Sequence, residues 1–399
     1  MNYITLIRQG AETCLMARKN HSKMTGILIG GSGLIGGAIT HYFKTKVGPE
    51  IELLSPNSKK LSLRVVDDIK QYFRKIKPDF IINAAIASID SDPLLSYETN
   101  YLGTVNLAMA AVALKIPYIH LSSAATMPNG LNLKEGDSLP LHPEMTNYAK
   151  SKLMAETTLQ HMSDTMGLDC TLIRLAVVYG KHDHKIQGFH RLFFSIADQA
   201  VPVMMTKRGV RHSYSNTKKL PPFLHYILYR RNEFSGKCYN FVDPEPVELA
   251  RLILTIKSYL QLKTPKEIYI PYPMAKMSRN LLKWIMKRLN SFGIEARMAP
   301  ELIFLENFYQ TQTLSADNLA KSSYGLPQPE VTVYSELPDM IEYYLTRWQH
   351  LNLVSMNGEE FYDPKRRAEE FMKDPIQLLE TVHQGKVDGL SKVADFLGE

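Results

Sequence analysis

Cysteine is scarce here: three in 399 residues, at positions 14, 170 and 238. So few and so scattered, they cannot build a disulfide framework or a cysteine-rich zinc site, and they suit a reducing cytoplasm. Long apolar runs are missing as well; none approaches the roughly 18 residues of a membrane span. The first residues, MNYITLIRQGAETCLMARKNHSK, hold only the short patch ITLI and no secretory core, so residues 1–23 read as a poorly ordered leader. No segment repeats, none is of low complexity, and no aromatic-interleaved basic stripe or binding motif points to nucleic acid. What is left, with 45% hydrophobic and 22% charged residues, is an ordinary globular chain of one large domain or two coupled ones.

The charge is uneven. Residues 201–300 hold 18 Lys and Arg against 6 Asp and Glu, whereas residues from 351 onward hold 6 against 10. The basic stretch suits an anionic ligand such as a diphosphate, or an anionic membrane surface. It could equally face the acidic tail.

Along the first half, short apolar runs alternate with helical patterns. TGILIG (25–30), EIELLS (50–55), DFIINAA (79–85), PYIHLSS (117–123) and CTLIRLAVVYG (170–180) read as buried strands. LIGGAITHYFKTK, DDIKQYFRKIK, NYLGTVNLAMAAVALK and the segment after Tyr148 read as helices between them. Such alternation predicts an α/β fold, a doubly wound parallel sheet covered on both faces. Beyond residue 181 prolines multiply and the pattern loosens. The expected division is a nucleotide-binding domain over 24–180, a smaller, mostly helical substrate region over 181–349 interleaved with it, and an acidic helical tail over 350–399. Helices in the tail are expected near Asp363-Pro364 and Asp374-Pro375.

After the first strand comes GGSGLIGG, in which Gly30, Gly33 and Gly36 are spaced G-x-x-G-x-x-G and Gly31, Gly33 and Gly36 also fit G-x-G-x-x-G. Glycines permit a tight turn and let the backbone approach a pyrophosphate, which then sits at the positive end of the following helix. A strand before and a helix after is the context that makes this Rossmann-type signal useful. About 20 residues on, an Asp or Glu would hold the adenosine ribose of NAD. That place falls on Leu54-Ser55-Pro56-Asn57-Ser58-Lys59-Lys60, which has no carboxylate. NADP(H) is therefore the expected cofactor, with NAD(H) as the alternative.

TNYAKSK (146–152) offers two lysines after one tyrosine. On a helix Lys152, four residues on, shares the face of Tyr148, while Lys150 lies nearly opposite and should be a solvated charge. Hydride transfer at a carbinol or carbonyl carbon requires a proton to move at the oxygen. A free phenol, with a pKa near 10, is a poor base at neutral pH, and a neighbouring ammonium favours its ionised form. Tyr148 and Lys152, with Ser123 placed 25 residues earlier, resemble the Tyr-x-x-x-Lys set of the extended short-chain dehydrogenase/reductase superfamily. NAA (83–85), Asn100 in YETNYLGTVNLA, RLAVVYG (174–180), CYNFVDPEPVELARLI (238–253) and LSADNLAKSSYGLPQP extend the likeness over roughly residues 24–345. The resemblance implies an NAD(P)(H)-dependent oxidoreductase or epimerase with Tyr148 as acid/base, Ser123 on the substrate oxygen, Lys152 on the nicotinamide ribose and Asn100 supporting the proton relay. It implies cofactor contacts from Gly30, Ser32, Gly33, Leu34, Ile35, Gly36, Ser55, Asn57, Val65, Asn83, Ala84, Ala85, Tyr148 and Lys152. It also implies a homodimer through the helices that carry Asn100 and Tyr148. The run Ser122-Ser123-Ala124-Ala125-Thr126-Met127-Pro128 lacks the Asp-Glu pair that a 4,6-dehydratase needs. Ser122 and Thr126 compete with Ser123 for the substrate oxygen, with Ser123 the first choice.

Two other stretches stand out. His182, His184 and His190 cluster in KHDHKIQGFH, but no carboxylate or cysteine completes a ligand pattern, so no metal is expected. PMAKMSRNLLKWIMKRL (273–289) forms a stripe of Lys276, Arg279, Lys283 and Lys287 opposite Met274, Met277, Leu281, Trp284 and Ile285. It reads as an amphipathic helix docked on the substrate region, or as one that touches a membrane at its inner face. The substrate expected is a nucleotide sugar, reduced or epimerised. The alternatives are a lipid or other hydrophobic ketone, as in the 3β-hydroxysteroid dehydrogenase branch, and a scaffold that binds cofactor without turnover. Lys and Arg from residues 207–231 lining the pocket would favour the sugar.

Overall fold

The computed structural model describes residues 23–89, 91–184, 188–197, 203–204, 209–262, 266–267, 271–291, 309–350, 371–376 and 379–380. The apolar runs form a six-stranded, all-parallel sheet from β1 (Met24–Ile29), β2 (Ile51–Leu54), β3 (Phe80–Asn83), β4 (Tyr118–Ser123), β6 (Cys170–Leu175) and β11 (Lys237–Phe241). Across the sheet they lie in the order β11-β6-β4-β3-β1-β2. From β1 the chain steps outward to β2 and then returns past β1 to β3. The reversal between β1 and β3 opens a crevice at the carboxyl ends of the strands, where ligands of such sheets bind.

Helices α1 (Leu34–Tyr42), α2 (Val66–Ile76), α3 (Gly103–Leu114) and α4 (Asn147–Met166) fill the crossovers. α2 shows how the sequence sets its limits. Asp67 and Asp68 lie in its first turn and Arg74 and Lys75 in its last, matching the helix dipole, and Lys77 ends it in the left-handed region at φ 50°. Ile69 and Phe73, one turn apart, are its buried residues.

The sheet is apolar on both faces, which is why its strands are continuous hydrophobic runs. Ile27, Ile29 and Ile81 pack with Leu107 and Leu159 on one side. Leu28, Ile82 and Ile119 pack on the other against Phe223 and Leu224 of α6 (Leu220–Leu228). Each side chain buried this way contributes about 1.5–3 kcal/mol. Both β11 and α6 come from beyond residue 180, so the second half of the chain completes the core of the first.

The run 170–180, expected as one strand, divides at Ala176. There the backbone N–H donates to Ser215 Oγ (3.0 Å), and the chain leaves the sheet as β7 (Val177–Tyr179) to pair with β10 (Tyr214–Asn216). A smaller sheet, in the order β12-β9-β14-β5, joins β5 (Gly130–Leu133), β9 (Arg211–His212), β12 (Val247–Glu248) and β14 (Gln312–Leu314). A second core forms where α5 (Gly188–Ala197), α7 (Leu249–Tyr259) and α9 (Val333–His350) bury Phe193, Ile253, Tyr344 and Trp348. His190 belongs to this core; it stacks on Tyr344 and accepts a hydrogen bond from Trp348 Nε1 at 3.0 Å. His182 and His184 are exposed. The stretch 273–289 is helical, within α8 (Tyr272–Ser291). The leader to residue 22, and with it Cys14, lies outside the described residues, as does Asp363-Pro364 in the tail.

Candidate active site

All six strands run the same way, so the segments leaving β1, β2, β3 and β4 share one edge of the sheet. The turn after β1 is built around Gly30, at φ 85°, where a Cβ would stand 2.7 Å from the Ala84 carbonyl. A Cβ at Gly36 would lie 2.1 Å from Gly30 O, so glycine there lets α1 pack onto the turn. Gly33 differs. A Cβ on it would meet only Gly30 O, at 3.5 Å, and nothing in the chain's own packing demands a glycine. It is the N-cap of α1 and provides no side-chain cap to that helix. An open, glycine-lined helix N-terminus fits the pyrophosphate of a dinucleotide. Ser32 is exposed, and Leu34 and Ile35 are half-buried in the first turn behind it.

Ser55 follows β2, and its hydroxyl leans over Gly31, 1.8 Å from where a Cβ there would be. Asn57 Oδ1 accepts from the backbone N–H groups of Lys59 (3.2 Å) and Lys60 (3.1 Å), forming a polar turn at the end of β2. Val65 is the exposed N-cap of α2. Ala84 and Ala85 are half-buried at the end of β3. Asn83 is directed inward. Its Nδ2 donates to Tyr118 OH (2.9 Å) and Thr104 Oγ1 (3.1 Å), and its Oδ1 accepts from the Ala85 N–H (3.1 Å). That side chain shapes the turn through 84–85, and a contact with a dinucleotide falls to the backbone there.

Thr146 Oγ1 caps α4 by accepting from the Ala149 N–H at 3.2 Å, which places Tyr148 in the first turn. Tyr148 is half-buried and shares a hydrogen bond with Ser123, the last residue of β4. Lys152 is buried one turn further, and its Nζ donates to Leu121 O at 2.9 Å. Lys150 lies off this face, in an exposed setting where its ammonium donates to Pro143 O at 2.6 Å. Of the competing hydroxyls, Thr126 is committed to Ser123 O (2.9 Å) and Glu156 Oε1 (3.2 Å). Ser122 is buried without a hydrogen bond. Ser123 is the one that meets Tyr148.

Burial pushes the Tyr148 hydroxyl above its ordinary pKa; Ser123 opposes the shift and the Glu156 charge adds to it. Burial lowers the Lys152 ammonium to about 8, and Glu156 opposes that change. The expected push of Tyr148 toward phenolate is therefore not what this geometry yields, because desolvation of the ring outweighs it. Asn100 is buried in a π-helical stretch (Tyr97–Leu102) ahead of α3. Its Oδ1 accepts from the Ala87 N–H (2.8 Å), and its Nδ2 donates to Ser151 Oγ (3.1 Å), beside Lys152.

Three contributors were not singled out by the sequence. Glu156, one turn after Lys152, is buried in a fork with Arg174 (Nη2 to Oε2, 2.7 Å) and so fixes α4 against β6. Gln312 Nε2 donates to the carbonyls of Ala124 (3.1 Å), Met127 (3.2 Å) and Pro128 (3.0 Å), which shapes the loop after Ser123. Arg211 is exposed on β9, the neighbour of β14. The first two depend on partners far away in sequence, and the third on a strand of two residues.

Comparison with known proteins agrees with this layout. Residues 27–209 match the model of the NAD dependent epimerase/dehydratase family. The chain is 22% identical over 261 residues to GDP-L-fucose synthase of Dictyostelium discoideum, which covers 61% of this chain and 81% of that protein. Its fold is similar to that of dTDP-4-dehydrorhamnose reductase of Bacillus anthracis in complex with NADP, with a TM-score of 0.58, 15% identity, and 80% and 99% of the two chains covered. It is equally similar to UDP-glucose 4-epimerase of Thermus thermophilus in complex with NAD, with a TM-score of 0.58, 18% identity, and 81% and 99% covered.

Proposed function

We propose, from the match of residues 27–209 to the NAD dependent epimerase/dehydratase family, that the chain is an NADP(H)-dependent reductase or epimerase of a nucleotide sugar with Tyr148 as its acid/base. The observation that carries this reading is the meeting of Ser123, Tyr148 and Lys152 at the end of β4, on the edge of the sheet that holds the glycine turn. A nicotinamide held along that edge would supply or accept the hydride. The chain's own residues handle the oxygen and its proton. Ser123 orients the substrate oxygen, and Tyr148, kept protonated by burial, donates to it. The Lys152 ammonium, one helical turn away, stabilises the phenolate left behind. Asn100 holds α4 in place through Ser151. A phenol that is neutral at rest suits reduction better than oxidation.

NADP(H) is favoured over NAD(H) because no carboxylate lies at 55–60, while Lys59 and Lys60 are exposed there. The sugar nucleotide is favoured by the relatives named above. The basic stretch supports it less than its charge suggests. Lys218 pairs with Glu336 (2.6 Å), Lys219 with Asp243 (2.7 Å), and Arg231 with Asp169. Arg211, exposed on β9 next to the strand that carries Gln312, is the cation assigned here to a diphosphate. A homodimer through α3 and α4 belongs to the same reading; Met109 and Met166 are exposed on those helices. The exposed apolar face of α8 favours the second reading, a hydrophobic ketone taken from a lipid surface.

The test is a binding titration with NADPH, NADH, NADP and NAD, followed by NADPH oxidation with a nucleotide-diphosphate 4-keto sugar and, separately, with a hydrophobic ketone in detergent. NADPH binding and turnover of the sugar are expected. Turnover of the ketone alone would move the chain to the second reading. Dinucleotide binding with turnover of neither substrate would make it a scaffold, and binding of none of the four would overturn the cofactor reading itself.

A further inference from the structure

A surface helix normally buries its apolar face, and α8 does not. Met274, Met277, Leu281, Trp284 and Ile285 recur at one-face spacing yet are 38–67% exposed. Over the same twenty residues the sequence has five cations, Lys276, Arg279, Lys283, Lys287 and Arg288, and no Asp or Glu. At about 1.5 Å per residue such a helix is roughly 30 Å long, but no helix among the described residues is long and apolar enough to cross a membrane. The Arg288 guanidinium lies 5.6 Å over the Trp284 ring, so its stem runs along the apolar face and its charge sits at the edge.

We infer that α8 is a peripheral membrane anchor, which lays Met277, Leu281 and Trp284 into the headgroup boundary of an anionic bilayer while Lys276 and Arg288 meet lipid phosphates. The charge selects this occupant. A second copy would bring two acid-free cationic helices together. The described apolar residues of the tail, Phe371, Met372, Ile376 and Leu379, are themselves exposed and do not pair with this face. The anchor is continuous with the site. Its first residue, Tyr272, packs on Tyr309 with ring centroids 5.4 Å apart, and three residues later Gln312 holds the loop after Ser123. Docking would therefore bring the substrate loop toward the lipid surface. The inference does not depend on the proposed activity, and its test reads no turnover.

The chain has two tryptophans, Trp284, which is 56% exposed, and Trp348, which is fully buried. The full-length protein is titrated with phosphatidylcholine vesicles with and without phosphatidylglycerol, and emission and flotation are recorded. A blue shift and flotation are expected with the anionic vesicles only, and both should weaken as salt rises. Trp284→Phe should lose the shift and still float. Leu281→Glu combined with Trp284→Glu should lose flotation while keeping its circular dichroism. Lys276→Glu combined with Arg288→Glu should weaken partitioning tenfold or more, at roughly one basic residue's contribution per charge removed. Failure to float with anionic vesicles, or equal flotation with neutral ones, overturns the inference. So does a Trp284 emission already blue in solution and indifferent to vesicles, because the face would then be covered by the tail or by another copy.

Discussion

Lys152 is required for the proposed chemistry and should at the same time weaken the fold, and that conflict can be measured. Burial brings its pKa from 10.5 to about 8. At roughly 1.4 kcal/mol per tenfold change in proton affinity, holding this cation in the folded chain costs about 3 kcal/mol. Below pH 8 folded and unfolded chains both carry the proton, and the full cost is present. Between pH 8 and 10.5 the unfolded chain binds more protons than the folded one, so stability rises with pH and the cost fades, to about 1.4 kcal/mol at pH 9.5. Lys152→Met keeps an unbranched apolar stem and removes the charge. It also removes the hydrogen bond to Leu121 O, which offsets about 1 kcal/mol. The variant should then be about 2 kcal/mol more stable than the native chain at pH 7 and nearly equal to it at pH 9.5, while turnover collapses. Urea denaturation of both chains at the two pH values measures this. A variant less stable at pH 7, or an advantage that does not shrink by pH 9.5, would refute the argument that a buried cation only partly offset by its neighbours sits beside Tyr148.

Glu156→Ala should cost about 3–5 kcal/mol, because it strips the buried Arg174 of the three hydrogen bonds it makes to that carboxylate. Glu156→Leu combined with Arg174→Met should recover most of the loss in a thermal melt, and a single-variant cost under about 1 kcal/mol would contradict the burial of the pair. The glycines should separate into two roles. Gly36→Ala, whose Cβ would strike Gly30 O, should lower stability by about 2 kcal/mol or more. Gly33→Asp should leave denaturation unchanged or improved, since Asp is a good N-cap, and yet abolish NADPH binding in a fluorescence titration. Equal losses in both variants would mean that the turn is only structural. Arg211→Ala should raise KM for a nucleotide-diphosphate substrate with little change in kcat, and an unchanged KM would remove the diphosphate from the proposal.

How much of this was open to a reader of the sequence depends on the range of each interaction. Local spacing sufficed for the strands, for the crossover helices, for the glycine turn and for the choice of Lys152 over Lys150. Each of these repeats a period set by backbone geometry within a few residues. The same periodicity could not show that the run 170–180 leaves the sheet at Ala176, since the cause is Ser215, brought there by a later pass of the chain. Nor could it show that Lys218, Lys219 and Arg231 are paired with carboxylates and that Arg211 is exposed, though all four look alike in a basic stretch. The protonation of Tyr148 was read in the wrong direction for a related reason. Spacing supplies the neighbouring charge, but desolvation is set by everything that closes over the ring.

By itself, then, the sequence determined the doubly wound sheet, the place of the glycine turn and the face of α4 that carries Tyr148 and Lys152, because those are consequences of residue spacing. Tertiary structure alone decided which hydroxyl meets Tyr148, how Glu156 and Gln312 hold the surrounding loop, and that the apolar face of α8 stays open. Burial and long-range pairing arise only when distant segments return to one another, and no local period records where they will meet.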